Sequence, residues 1–171
     1  MNRTTAARAL GAIAAVVTLI LGGALPAGAN STPTPFSATY TAGPDTLTSL
    51  RCAPQTVATI CHGEAFGAAT YSGDWNGTST YTYRYVVDRR GTYHVDIIEE
   101  FTGRVAGCGA GSFLVRTHET IDAFGNATST FTVIGHRGRG ELAGMTAHGD
   151  GVGTYLVDGT GSGSITGASR C

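Results

Sequence analysis

Apolar and polar positions alternate with a period of two from Tyr81 through Val133, the mark of strands that bury one face and wet the other. Candidate strands stand near 36–41, 56–60, 64–72, 78–87, 92–102, 112–121, 127–135 and 152–157, with short additional pieces near Glu141 and Ile165. Glycine separates the runs, and no segment after residue 30 carries a helical apolar stripe. Without a helix to cover a sheet face, such a chain must close on itself or stack as a sandwich.

The alternation is regular enough to propose a register. Arg89-Arg90-Gly91 suits a three-residue hairpin loop with glycine in the left-handed position. That loop sets Val87 opposite Tyr93, Tyr85 opposite Val95, Tyr83 opposite Ile97 and Tyr81 opposite Glu99. Centring the next connection on Gly107 pairs Phe101 with Phe113, Glu99 with Val115 and Val95 with Glu119. A turn over Asp122-Ala123-Phe124-Gly125-Asn126 then places Phe131 opposite Thr117 and Val133 opposite Val115. The odd-numbered positions thus share one interior, where Tyr83 is expected to be largely buried. The other face carries Arg84, His94, Asp96, Glu100, Arg116 and His118, with Arg84 largely exposed. A one-residue slip would turn Arg84 into that apolar interior at a cost of several kcal/mol.

The first 29 residues change the setting. Arg3 and Arg8 precede an apolar run from Leu10 to Leu25, and Ala27-Gly28-Ala29 supplies small residues for cleavage after Ala29. This reads as a signal peptide over 1–29, a flexible leader over 30–35 and one domain over 36–171, in a secreted, extracellular protein. No later stretch is long and apolar enough to span a membrane as a helix. The chain has no lysine, and without Arg3 and Arg8 the mature part sets nine arginines against 12 acidic residues. A weakly acidic chain with no basic stripe does not suit nucleic acid. Cys52, Cys61, Cys108 and Cys171 all fall in the exported part, where an even count favours disulfides. Proximity in sequence favours Cys52–Cys61, which leaves Cys108–Cys171; no pair has the spacing of a zinc site.

Four short pieces stand in order along the domain: Gly73-Asp74-Trp75-Asn76-Gly77, Glu99-Glu100-Phe101-Thr102-Gly103, Gly111-Ser112-Phe113 and Gly138-Arg139-Gly140-Glu141-Leu142-Ala143-Gly144. In that order and spacing they resemble a family of small bacterial proteins of unknown function, assigned to an allene-oxide-cyclase-like β-barrel. The resemblance spans Phe66 to Gly167, whereas residues 36–65 lack the family's charged, tryptophan-containing first strand. It implies an all-β, calycin-like fold: a single antiparallel β-barrel of about eight strands, wide enough to be plugged by side chains or to hold one small ligand. Plant allene oxide cyclases act on a fatty-acid epoxide inside such a barrel, but no stretch here matches their active-site pattern. The family brings no catalytic residues to carry over.

The candidate ligand-binding residues are therefore the inward ones: Tyr81, Tyr83, Tyr85, Glu99, Phe101, Phe113, Glu119 and Phe131. A carboxylate facing an apolar interior is costly to ionise, so the Glu99 pKa should rise unless a donor such as the Tyr81 hydroxyl reaches it. Glu99 and Glu119 lie roughly 13 Å apart at ~3.3 Å per residue, beyond the ~9.5 Å limit of paired-carboxylate hydrolysis. Asp96 and His118 fall opposite each other on the wet face, where such a pair does no chemistry. The chain has no G-x-S-x-G elbow, and Gly159–Gly163 precedes no helix, so it is no nucleotide fingerprint. No cofactor or metal is expected. Three readings follow: a barrel that binds a small, mostly apolar molecule; an isomerase- or cyclase-type enzyme using the same cavity; or a cell-surface interaction module with a filled core.

Overall fold

The computed structural model describes residues 32–54 and 59–171. The expected signal peptide, the first two residues of the leader and most of the strand expected at 56–60 lie outside the described residues. Within them are nine strands: β1 (Thr34–Ala42), β2 (Thr46–Pro54), β3 (Thr59–Gly73), β4 (Trp75–Val87), β5 (Tyr93–Val105), β6 (Gly109–Ile121), β7 (Asn126–Gly140), β8 (Thr146–Tyr155) and β9 (Gly161–Arg170). All pair antiparallel. β1 and β3 through β9 close into an eight-stranded barrel, with β1 bonded to both β3 and β9. β2 is the extra strand and pairs only with the first half of β3, beside the ring.

β1 and β2 thus follow one another along the same edge of β3. Residues 43–45 make the step between them: Gly43 N donates to Ala68 O at 3.0 Å, and Asp45 N donates to Asp158 O at 3.0 Å. Pro44 has no N–H to give a continuing ladder, which is why the strand breaks here.

The expected register is present at every pair named above, from Val87↔Tyr93 to Val115↔Val133. The β4–β5 loop is Arg89-Arg90-Gly91, closed by Asp88 N donating to Thr92 O at 2.9 Å, with Gly91 at φ +79°. Asp88 Oδ1 accepts the Arg90 and Thr92 N–H groups, so a single carboxylate holds a turn whose glycine supplies the left-handed residue. The β6–β7 turn repeats this design with Asp122 and Gly125, while the β8–β9 turn keeps the glycine at Gly159 but has Leu156 at the closing position, with Asp158 accepting the Thr160 N–H and hydroxyl instead.

Several boundaries differ from expectation. β2 at 46–54 is not among the expected strands, because its TLTSLRC sequence alternates weakly and its pairing with β3 defines it, while Thr59 and Ile60 of the strand expected at 56–60 begin β3. β1 takes in Thr34 and Pro35 from the expected leader. β8 starts at Thr146, and its glycines obscured the alternation. Ile165 belongs to a full strand, whereas Glu141 lies in the β7–β8 turn.

The packed core sits at one end of the barrel. Trp75, just past the β3–β4 turn, is 1% exposed and Phe101 is 0% exposed. The Trp75 ring lies 5.2 Å from that of Phe36 and 4.9 Å from that of Phe113, which stacks at 4.9 Å on Phe101. Leu142 and Met145 from the β7–β8 connection close this end, fully buried. Paired glycines make room for the plug: a Cβ at Gly149 would come within 2.9 Å of Phe131 Cζ and 2.8 Å of the Gly167 Cα.

Both expected disulfides are present, and Cys108–Cys171 ties the chain's last residue to the β5–β6 connection across 63 positions of sequence. Cys52–Cys61 joins directly opposed residues of the β2–β3 pair, nine positions apart. Loop-closure entropy scales with the ring closed, so a Cys108→Ser/Cys171→Ser variant should lose roughly 2 kcal/mol more stability than Cys52→Ser/Cys61→Ser. Urea unfolding of the two variants measures this, and equal losses would contradict it.

Candidate functional site

The other half of the barrel is hollow. A cavity of about 950 Å³ opens at the end formed by the β4–β5, β6–β7 and β8–β9 turns. Its shape follows from a size mismatch between neighbouring strands. β3 sends Gly63, Ala65, Gly67 and Ala69 inward, while β4 sends in Tyr81, Tyr83 and Tyr85. Tyr85 is opposite Gly63 and Tyr81 opposite Gly67, and a Cβ on either glycine would run into the tyrosine ring across from it. The rings therefore lie sideways over β3 instead of pointing to the axis, and the lumen stays open.

All seven tyrosines of the chain line this cavity. Tyr81, Tyr83, Tyr85 and Tyr93 form a row along β4 and β5, with successive ring centroids 6.1, 6.0 and 5.5 Å apart. Tyr40, Tyr71 and Tyr155 stand on the other wall, with Trp75 and Phe131 toward the floor. Leu156, Val157 and Phe124 form an exposed apolar rim.

Three carboxylates face this space, each met by phenols. Glu99, 7% exposed, accepts from Tyr71 Oη at 2.8 Å. Asp45 accepts from Tyr81 Oη on one oxygen at 2.9 Å and from Tyr83 Oη on the other at 2.6 Å. Glu119 receives a long 3.5 Å contact from Tyr155 Oη, which lies 3.1 Å from Tyr40 Oη. Ser79 Oγ is buried close enough to Glu99 to favour its ionised form, but at a geometry too poor for a hydrogen bond. The Trp75 Nε1–H is also buried without an acceptor among the described residues.

Burial raises the pKa of all three carboxyl groups. For Glu119 it does so to about 7, with the Tyr155 contact opposing and the charge of Glu99 adding. For Glu99 the phenol of Tyr71 and the Ser79 hydroxyl oppose burial; for Asp45 the phenols of Tyr83 and Tyr81 oppose it. The phenols themselves are pushed up, Tyr40 to about 12, so they act as donors near neutrality.

The expected site residues divide. Tyr81, Tyr83, Tyr85, Glu99, Glu119 and Phe131 line the cavity. Phe101 and Phe113 do not; they belong to the plug at the closed end, where they pack on Trp75 and on each other. Tyr81 faces Glu99 across the strands, yet its hydroxyl turns to Asp45, and Tyr71 serves Glu99 instead. Tyr83 is half-buried rather than largely buried, since it borders the open lumen; Arg84 is outside, with an 80% exposed side chain paired to Glu64 at 2.8 Å. Asp96 and His118 pair on the wet face as expected. Tyr71 was within reach of sequence reasoning, by carrying the odd-numbered alternation back across the Gly73-Asp74 turn. Asp45 was not, because it lies in a strand break that no periodicity marks.

A carboxyl group whose folded pKa lies above its unfolded value favours folding while protonated and loses that advantage as pH rises. For Glu119 the window runs from the ordinary glutamate value of 4.5 to about 7, worth about 3 kcal/mol. Thermal melts of wild type should therefore show stability falling across that window, and Glu119→Gln should flatten the fall and be the more stable protein at about pH 8. A variant with an unchanged pH profile would rule this out.

The family model of proteins of unknown function designated DUF3224 matches residues 51–169. A crystal structure of a protein of unknown function of that family from Shewanella oneidensis MR-1 is similar at a TM-score of 0.55 and 16% identity, covering 82% of this chain and 99% of that one. At that identity the likeness concerns the fold alone. No curated protein matches the chain. With more than half its length matched by the family model, this half-hollow barrel belongs to the DUF3224 family of proteins of unknown function.

Proposed function

We propose that this protein is a secreted binder of one small, mostly apolar molecule, held in the open half of the barrel. The observation that carries the reading is the cavity itself: about 950 Å³, at the upper end of the size usual for small-molecule sites of ~300–1,000 Å³. Its wall is mainly aromatic and aliphatic, with a few convergent polar groups, as binding sites are. The two disulfides fit an extracellular or periplasmic protein. The hollow lumen speaks against a wholly filled interaction module.

One observation favours an enzyme as the second reading. Glu119 has a pKa of about 7 in a cavity, beside the Tyr155 hydroxyl, and a carboxyl group poised near the working pH suits general acid–base catalysis of an isomerisation or cyclisation. The binder comes first because it requires only the cavity.

Native mass spectrometry of protein purified from its host should show an added small-molecule mass, and Ala65→Trp, which fills the lumen from the β3 wall, should lose it while remaining folded. A wild type that carries and takes up nothing would sink the reading. The exported protein should begin at Asn30; an intact mass that retains residues 1–29 would remove secretion from it.

A further inference from the structure

The cavity has one electrical sign. Asp45, Glu99 and Glu119 face its interior, and Asp122 and Asp158 stand at its mouth. No arginine or histidine of the described residues lines it. The basic side chains of these strands alternate outward, as Arg84, His94, Arg116 and His118 do, and Arg84, His94 and His118 each lie against an acid on the outer side. Among the described residues the interior carboxylates thus meet hydroxyl groups but no counter-ion, and an unpaired buried charge is costly.

The aromatic wall has the same preference. Tyr81, Tyr83, Tyr85 and Tyr93 form a continuous row of rings along one side, and the electron-rich faces of such rings attract cations in a desolvated site. Asp45 is anchored at that row through two of its phenols. Aromatic faces and carboxylates are two different sources of attraction, and both point to a positive group.

We propose that the ligand is a cation: an amine or quaternary ammonium carried on an apolar body. The inference rests on the reading of the cavity as a site for an apolar molecule and adds the charge of its head. The ammonium takes the place of the counter-ion that the protein does not supply, between the Asp45 and Glu119 walls, while the apolar body packs on Val95, Ile97 and Phe131. An anionic amphiphile such as a fatty acid would meet the interior carboxylates and is disfavoured.

Binding is then coupled to ionisation of Glu119. The groups facing that carboxyl are Tyr155 from β8, Tyr40 from β1, Tyr83 from β4 and Glu99 from β5. None is basic, so a bound ammonium is the only positive charge the carboxylate meets. A cation selects the ionised form and an alcohol does not.

Calorimetric titration with decylammonium, decanol and decanoate separates the possibilities, since the three share a tail and differ in the head. At about pH 8 and low salt, decylammonium should bind about tenfold or more tightly than decanol, and decanoate more weakly than either. Asp45→Asn and Glu119→Gln should each shrink the ratio between cation and alcohol, whereas Asp96→Asn on the outer wall should leave it unchanged. The ratio should also fall on lowering the pH to about 6, as Glu119 takes up its proton. Decanol binding without a preference for the cation, or a preference for decanoate, would overturn the charge of the ligand and leave the apolar site standing. Binding of none of the three would remove both.

Discussion

The small inward row of β3 is what the open half of this barrel depends on. An eight-stranded barrel is narrow enough that ordinary side chains from every strand fill it. At the closed end they do, with Trp75, Phe101, Phe113, Leu142 and Met145 in mutual contact. Above them Gly63, Ala65, Gly67 and Ala69 contribute almost no volume, and the tyrosines of β4 fold across the space those residues leave. The lumen is a consequence of rings laid sideways, and a β3 row of larger residues would push them back to the axis.

An open lumen lined by phenols in turn makes buried carboxylates tolerable. Glu99, Asp45 and Glu119 each have a tyrosine hydroxyl in place of the water or counter-ion they would otherwise need. The compensation is incomplete, because a phenol donates one hydrogen bond and brings no charge. That is why burial dominates the pKa of all three. Groups held in this state are sensitive to anything positive that enters, which gives the cavity its electrostatic character.

The closed end supplies the rigidity. The aromatic plug, the Cys108–Cys171 link and the Asp74 contacts to Ser37 fix the floor. The mouth is built from short turns with exposed apolar tips at Phe124, Leu156 and Val157. Packing is concentrated at the closed end, and the opening lies among turns with few buried contacts.

By itself the sequence determined whatever follows from period two: the all-β class, the inward and outward faces, and the register of β4 to β7. A one-residue slip would exchange Arg84 for the tyrosines, so local pattern sets long stretches of pairing. The disulfide partners were legible for a related reason, since only one close pair exists. Tertiary structure decided what periodicity cannot carry. β2 and Asp45 are placed by the edge of β3 and by the β8–β9 turn, which lie far away along the chain. Whether an inward aromatic fills or lines depends on the size of its neighbour across the sheet, so Phe101 is plug and Tyr83 is wall. Which phenol serves which carboxylate depends on ring direction, a property of packing in three dimensions, and so Glu99 is bonded to Tyr71 and not to the tyrosine directly opposite it.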